Sequence, residues 1–221
     1  MSPRASIRGV ACDLDGVLRH FDAGPSTCLE ADCGLEPGAI AAVACDPDIL
    51  LPAITGAVPD ATWRENVALG LSRTVGYETA KRAVTSWSSS PGHVDPEVLS
   101  LLRRVRATTP VVALTNATSR LLDDLDAIGV RHEFDAIISS AVTGTPKPDT
   151  GAFQAAQLAL EALVGAPVAT PGLLFIDDDA RHVVAASRLG WSTEQFVAAD
   201  SLEAALTAYG LRDHFELRRG D

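Results

Sequence analysis

Apolar and polar positions alternate between two rhythms along most of this chain. Short, nearly continuous apolar runs occur at Ile7–Cys12, Val111–Thr115, Ala136–Ile138, Leu173–Ile176 and, more weakly, Glu194–Val197. Such runs read as buried strands. Helical stripes lie between them. Val98, Leu101, Leu102 and Val105 follow the i, i+3, i+4, i+7 spacing, as do Leu121, Leu122, Leu125 and Ile128. Gly129 stands where a helix C-cap glycine is expected. Ala152, Ala156, Ala159 and Leu163 form a third stripe behind the candidate caps Asp149 and Thr150. Asp200 and Glu203 read as a capping box before Leu202, Leu206 and Tyr209. Strand and helix in alternation predict parallel strands joined by right-handed crossovers, an α/β, doubly wound, Rossmann-like core.

One segment breaks this rhythm. Residues 18–90 carry no βα alternation but show helical stretches at Pro37–Ala44, Asp46–Ile54, Ala61–Leu71 and Tyr77–Trp87. Ser88-Ser89-Ser90-Pro91-Gly92 then reads as a linker. The pattern predicts a core domain from 1–17 and 91–221 and a helical cap, 18–90, hinged at both of its ends.

Composition narrows the function classes. The chain has 221 residues, 47% of them hydrophobic, enough to fill a real core. Its formal net charge of -11 argues against nucleic acid or an anionic membrane as partner. No apolar run reaches the roughly 18 residues of a membrane span, and Met1-Ser2-Pro3-Arg4 lacks the apolar stretch of a signal peptide. A cytoplasmic protein is expected. Cys12, Cys28, Cys33 and Cys45 match no usual zinc spacing and are expected to be reduced, packed thiols.

The chemistry-bearing residues cluster where strands end. Asp13-Leu14-Asp15-Gly16 closes the first run. If that run continues as a strand, Asp13 and Asp15 point to one side while Leu14 enters the core. Two carboxylates held together are costly unless a cation or a reaction needs them. Thr115-Asn116 closes the second run, Lys147 lies between Pro146 and Pro148 after the third, and Asp177-Asp178-Asp179 closes the fourth. Pro148 biases Lys147 away from helical geometry and into a turn. Ligands of doubly wound sheets bind at the carboxyl ends of the strands.

Each motif alone has a bland reading as a turn, a helix cap or a solvated loop charge. In this order, each after a hydrophobic strand, they resemble the motifs of the haloacid dehalogenase (HAD) superfamily. The insert between the first and second motifs matches its helical-cap branch (C1, subfamily I). The resemblance implies a Mg²⁺-dependent hydrolase of small phosphomonoesters acting through an aspartyl-phosphate. It assigns Asp13 as nucleophile and Asp15 as acid/base. Thr115 would bond a phosphoryl oxygen with backbone N–H groups at the helix start. Lys147 would hold the phosphoryl charge and the Asp13 carboxylate together. Asp13, the Asp15 carbonyl and Asp177 would bind Mg²⁺, with Asp178 holding a metal-bound water.

Asn116, Arg19 and His20 are candidate substrate contacts, the last two in the segment that gates the site in this family. His182 stands where related sequences usually have Asn, and is a candidate to orient Asp178 or Lys147. His93, His132 and His214 read as surface or hinge residues. Trp63 and Trp87 fit the cap's core, Trp63 also as a pocket residue. A small phosphorylated metabolite is the expected partner, with no nucleic acid and no membrane, and the protein is expected to be a monomer or homodimer. Phosphomutase, hydrolytic dehalogenase and a non-catalytic binding or regulatory module remain alternatives. An acid at Asp15 disfavours dehalogenation, because a halide leaves without a proton.

Overall fold

The computed structural model describes residues 6–211; His214 lies outside them. Five parallel strands form one sheet: β1 Gly9–Cys12, β4 Val111–Thr115, β5 Ala136–Ser139, β6 Leu173–Asp177 and β7 Ser192–Gln195. Their order is β5-β4-β1-β6-β7, so β1 lies at the centre. In register, Ala11 stands between Val112 of β4 and Phe175 of β6.

The near-continuous apolar runs are explained by burial on both faces. Val10, Cys12, Val111, Ala113, Leu174 and Ile176 pack into one core layer with α6 (Pro96–Arg106), α7 (Leu121–Ala127) and α11 (Ala199–Ala208). The alternate residues Ala11, Val112, Leu114, Leu173 and Phe175 pack into the other, with α9 (Thr150–Val164) and α10 (Ala180–Arg188). The period-two alternation of side chains thus builds a three-layer α/β sandwich.

Several details differ from the sequence pattern. The buried stripe of α9 is Ala152, Phe153, Ala156 and Leu160, and Leu163 is exposed. Phe153 sets the rotation by packing edge-on to Phe175, with ring centroids 5.3 Å apart. Asp149 precedes α9 without capping it through its side chain. Asp200 and Glu203 form no capping box. Ser201 Oγ instead accepts from the Ala198 N–H at 3.2 Å, and Glu203 pairs with Arg104 at 2.5 Å. Gly129 does end α7, at φ +74°, with the Val130 N–H bonded back to the Leu125 carbonyl.

Between β1 and β4 the chain leaves the core through β2 (Arg19–His20) and returns through β3 (His93–Val94), which pair antiparallel. Five helices lie between them: α1 Ala23–Asp32, α2 Ala39–Ala44, α3 Pro47–Ile54, α4 Asp60–Val75 and α5 Tyr77–Trp87. They have their own apolar centre, including Ile40, Val67, Leu71, Ala83 and Val84. α1 is absent from the sequence pattern, because Gly24 and Pro25 interrupt its first turn.

The insertion touches the core at specific points. The Asp60 N–H donates to Ser119 Oγ at 3.0 Å, Thr118 Oγ1 donates to Asp60 Oδ1 at 2.8 Å, and Arg120 Nη1 donates to the Ser88 carbonyl at 2.5 Å. Gly56, at φ +75°, lies so near the core that a Cβ there would meet the Ala141 carbonyl oxygen at 2.1 Å. Among the described residues, no helix is long and apolar enough to cross a membrane.

Candidate active site

The carboxyl ends of β1 and β6 bring Asp13 and Asp177 together around Lys147. Lys147 Nζ lies 2.8 Å from Asp13 Oδ1 and 2.7 Å from Asp177 Oδ2. All three side chains are buried. Backbone N–H groups add to this arrangement. Asp13 Oδ1 accepts the Leu14 N–H at 2.7 Å, and Asp177 Oδ1 accepts the Asp179 N–H at 2.8 Å. Lys147 Nζ also faces the Phe175 ring, 5.6 Å from its centroid.

Lys147 is reached through α8 (Ser140–Thr143), one turn that intervenes after β5, rather than directly at the strand end. Its loop is clamped by Asn116, whose Oδ1 accepts the Lys147 N–H at 2.7 Å while its Nδ2 donates to the Lys147 carbonyl at 2.8 Å. Each end of its amide makes one bond to the Lys147 backbone, so Asn116 positions the lysine. The Lys147–Pro148 peptide is cis.

β1 ends at Cys12, so Asp13 and Asp15 lie in the loop beyond it and the strand alternation does not apply. Leu14 does enter the core. In that loop the Leu14 carbonyl accepts from the N–H groups of Leu18 and Arg19 at 2.9 and 2.7 Å. This turn brings Arg19 back onto Asp15, with Nε 2.5 Å from Oδ1 and Nη2 3.0 Å from Oδ2. Arg19 is 4% exposed. Its remaining nitrogen, Nη1, has no hydrogen-bond partner and faces Asp124 at 3.6 Å.

The other expected residues are placed as follows. Thr115 ends β4, buried. The helix expected to begin there starts only at Leu121, and the intervening Ala117 N–H donates to Ser140 Oγ at 3.1 Å. Asp178 is exposed, its carboxylate folded over Gly16, where a Cβ would lie 2.3 Å from Oδ2. Gly16 has φ +89°, a conformation that only glycine adopts without strain. His20 stacks at 6.0 Å on His93 across the β2–β3 pair. His182 turns to Asp177, its Nδ1 3.1 and 3.2 Å from the two oxygens, rather than to Asp178 or Lys147. The four cysteines are free thiols; Cys12 is buried, but Cys28 and Cys45 are exposed and so not packed.

Electrostatics follow from this packing. Burial pushes the Asp13 carboxyl up to about 7, against the pull of Lys147. Burial acts the same way on Asp177, but bonds from His182 and Lys147 outweigh it and hold that carboxyl below its usual range. For Lys147, burial disfavours the ammonium, yet the two carboxylates raise it overall. Burial and the adjacent Asp177 charge raise Asp178.

A ligand atom from each of Asp13, Asp177 and His182 lies within 4.8 Å of the others. Two carboxylates beside an anion site fit Mg²⁺, which takes one or two protein carboxylates and completes its shell with water and phosphate oxygens. Asp13 and Asp177 would hold it. His182, whose nitrogen suits Mg²⁺ poorly, is better placed to orient Asp177.

A cavity of about 730 Å³ opens beside this cluster, between the insertion and the core. Asp15, Arg19 and Asn116 form its core wall, and Trp63 and Trp87 line its far side. Trp63, Asp60, Thr118 and Arg120 belong to this cavity; nothing in the local sequence around the last three marks them as cavity residues, because the partners that tie the insertion to the core lie 32 or more positions away.

Solved structures resemble this architecture closely. A HAD-family enzyme from Bacteroides thetaiotaomicron superposes with TM-score 0.70 at 19% identity, covering 91% of this chain and 99% of that one. That enzyme has also been solved with magnesium and inorganic phosphate. A predicted HAD-like family hydrolase from Porphyromonas gingivalis gives 0.65 at 24% identity, covering 92% and 98%. The L-2-haloacid dehalogenase of Xanthobacter autotrophicus, solved with chloropropionic acid covalently bound, gives 0.61 at 20%, covering 91% and 83%. No protein-family model and no curated protein matches the chain. The chain has the haloacid dehalogenase fold.

Proposed function

We infer that the protein is a Mg²⁺-dependent hydrolase of small phosphomonoesters, working through an aspartyl-phosphate on Asp13. The observation that carries this reading is the buried Lys147 held between Asp13 and Asp177 near a cavity between the insertion and the core. A phosphomonoester dianion is repelled by a lone carboxylate, and a lysine fixed 2.8 Å from that carboxylate offsets the repulsion. That the Bacteroides enzyme has been solved with magnesium and inorganic phosphate supports this reading.

Asp13 attacks phosphorus as the bond to the leaving oxygen breaks, and Asp15 gives that oxygen its proton. Asp15 then takes a proton from water, which attacks the phosphorus of the aspartyl-phosphate and releases inorganic phosphate and the Asp13 carboxylate. Lys147 remains on Asp13 throughout. Mg²⁺, when bound, neutralises charge on the phosphoryl oxygens. Each Asp15 oxygen already accepts one Arg19 N–H, which holds the carboxylate in place. The helical insertion acts as a cap that excludes bulk water from the cavity.

The Arg19–Asp15 pairing also favours a second reading, hydrolytic dehalogenation, in which Asp13 attacks carbon and no acid is needed. The deciding experiment measures phosphate release from p-nitrophenyl phosphate, sugar phosphates, nucleotides and phosphoglycolate, with Mg²⁺ and with EDTA, beside chloride release from 2-chloropropionate. Mg²⁺-dependent phosphate release without chloride release is expected. Chloride release without phosphate release overturns the reading. Transfer that requires a bisphosphate activator and frees little phosphate would identify a mutase instead.

A further inference from the structure

The cavity beside Asp15 has a wall chemistry that selects a leaving group. Leu29, Leu50, Ile54, Trp63, Trp87 and Phe21 give it a broad apolar surface. The indoles of Trp63 and Trp87 meet at 5.9 Å, tilted by 54°, and Phe21 lies under the Arg19 guanidinium at 5.1 Å.

Several polar groups among these walls are already committed to the protein. Trp63 Nε1 donates to the Ala44 carbonyl at 3.2 Å. Asp60 Oδ1 accepts from Thr118, and its Oδ2 faces Arg64 Nε at 2.7 Å. Arg120 bonds Asp124 and the Ser88 carbonyl. Ser88 Oγ donates to the Val84 carbonyl and Ser89 Oγ to that of Ser86. Both ends of the Asn116 amide hold Lys147. Arg19 Nη1 and Asp60 Oδ2 are buried in this lining without a hydrogen-bond partner among the described residues, each facing only an ion-pair partner, and Asp22, Ser86, Ser90 and His93 lie on the same lining.

A polyol entering such a cavity would lose water from several hydroxyls against walls in which many polar groups already bond to the protein, and unsatisfied buried polar groups are costly. An apolar group loses nothing comparable and gains contact with the aromatic walls. We propose that the cavity takes an apolar leaving group, aryl or branched alkyl, in preference to a sugar or other polyol. The proposal rests on the phosphomonoesterase reading above and names the substrate class for it.

The test compares benzyl phosphate with glucose 6-phosphate, both esters of primary alcohols, so that leaving-group chemistry does not decide the result. With Mg²⁺, kcat/KM is expected to be at least tenfold higher for benzyl phosphate, mainly through KM. Equal values, or a preference for glucose 6-phosphate, overturn the proposal while leaving a phosphatase standing. A second measurement is independent of turnover. Benzylphosphonate is expected to change tryptophan emission where methylphosphonate does not, and Trp63→Phe is expected to remove most of that change. Leu50→Asn is expected to weaken benzylphosphonate binding about tenfold without touching an indole. If benzylphosphonate binds with this signal but neither ester is hydrolysed, the hydrolase reading fails and the cavity's preference stands. If both phosphonates bind alike, the preference is refuted.

Discussion

Arg19 grips Asp15 with two nitrogens, at 2.5 and 3.0 Å, across one turn of chain at the entrance to the helical insertion. The guanidinium is buried, whereas the carboxylate side chain is 41% exposed. Removing the acid therefore leaves a buried cation with only Asp124, at 3.6 Å, to face. Asp15→Ala is expected to lower stability by about 1–3 kcal/mol, as well as to abolish turnover. Urea unfolding followed by circular dichroism measures this; unchanged stability would show that the pair contributes nothing to the fold.

Asp13 behaves in the opposite sense. Asp13→Asn is expected to lower kcat roughly 10³-fold or more with the fold intact. Because burial pushes this carboxyl up to about 7, the metal-free native state binds a proton that the unfolded chain releases in the window between the ordinary carboxylate range and about 7. The group's contribution to stability is therefore present at low pH and lost as pH rises through about 7. In EDTA, the wild type is expected to lose stability relative to Asp13→Asn as pH rises from about 4 to about 7. Parallel pH curves for the two proteins would rule this out.

Asp177 and Asp178 differ in burial and partners, and their variants separate on metal binding. Mg²⁺ is expected to raise the wild-type Tm by binding the native state alone. Asp177→Ala is expected to abolish that rise and Asp178→Ala only to reduce it. The check is Tm against Mg²⁺ concentration for the three proteins; equal losses would contradict the division.

Gly56 meets the core where no side chain fits. With φ +75° and the Ala141 carbonyl oxygen 2.1 Å from any Cβ, Gly56→Ala requires a backbone shift. A cost on the order of 1–3 kcal/mol is expected, with faster proteolysis at Ser88–Gly92 as the insertion lifts. Limited proteolysis with mass spectrometry reads this directly, and a wild-type digestion pattern would count against it.

The sheet was legible because β1, β4 and β6 are buried on both faces, so their sequences are apolar at every position up to the chemical residues. The convergence of Asp13, Lys147 and Asp177 followed from that order. The engagements of single side chains did not. Asp15 and Arg19 lie four positions apart in a loop, where only the turn centred on the Leu14 carbonyl makes them meet. Asn116 finds its partner 31 residues away, and Asp60 and Thr118 are 58 apart. Local pattern carries no record of such pairings. The displaced stripe of α9 shows the same limit: an alanine-rich helix has several passable faces, and the Phe153–Phe175 contact chooses among them.

The crossing between core and insertion is narrow: Arg19 pairs with Val94, His20 with His93, and the Asp95 N–H reaches the Leu18 carbonyl at 2.9 Å. Two chain ends already fastened side by side make what hangs from them interchangeable. The entropy of closing such a loop grows only slowly with its length, so the core can tolerate a longer, shorter or differently folded excursion without altering its own register. Selectivity and reactivity can thus change on separate evolutionary clocks, one in the five helices and the other at the strand tips.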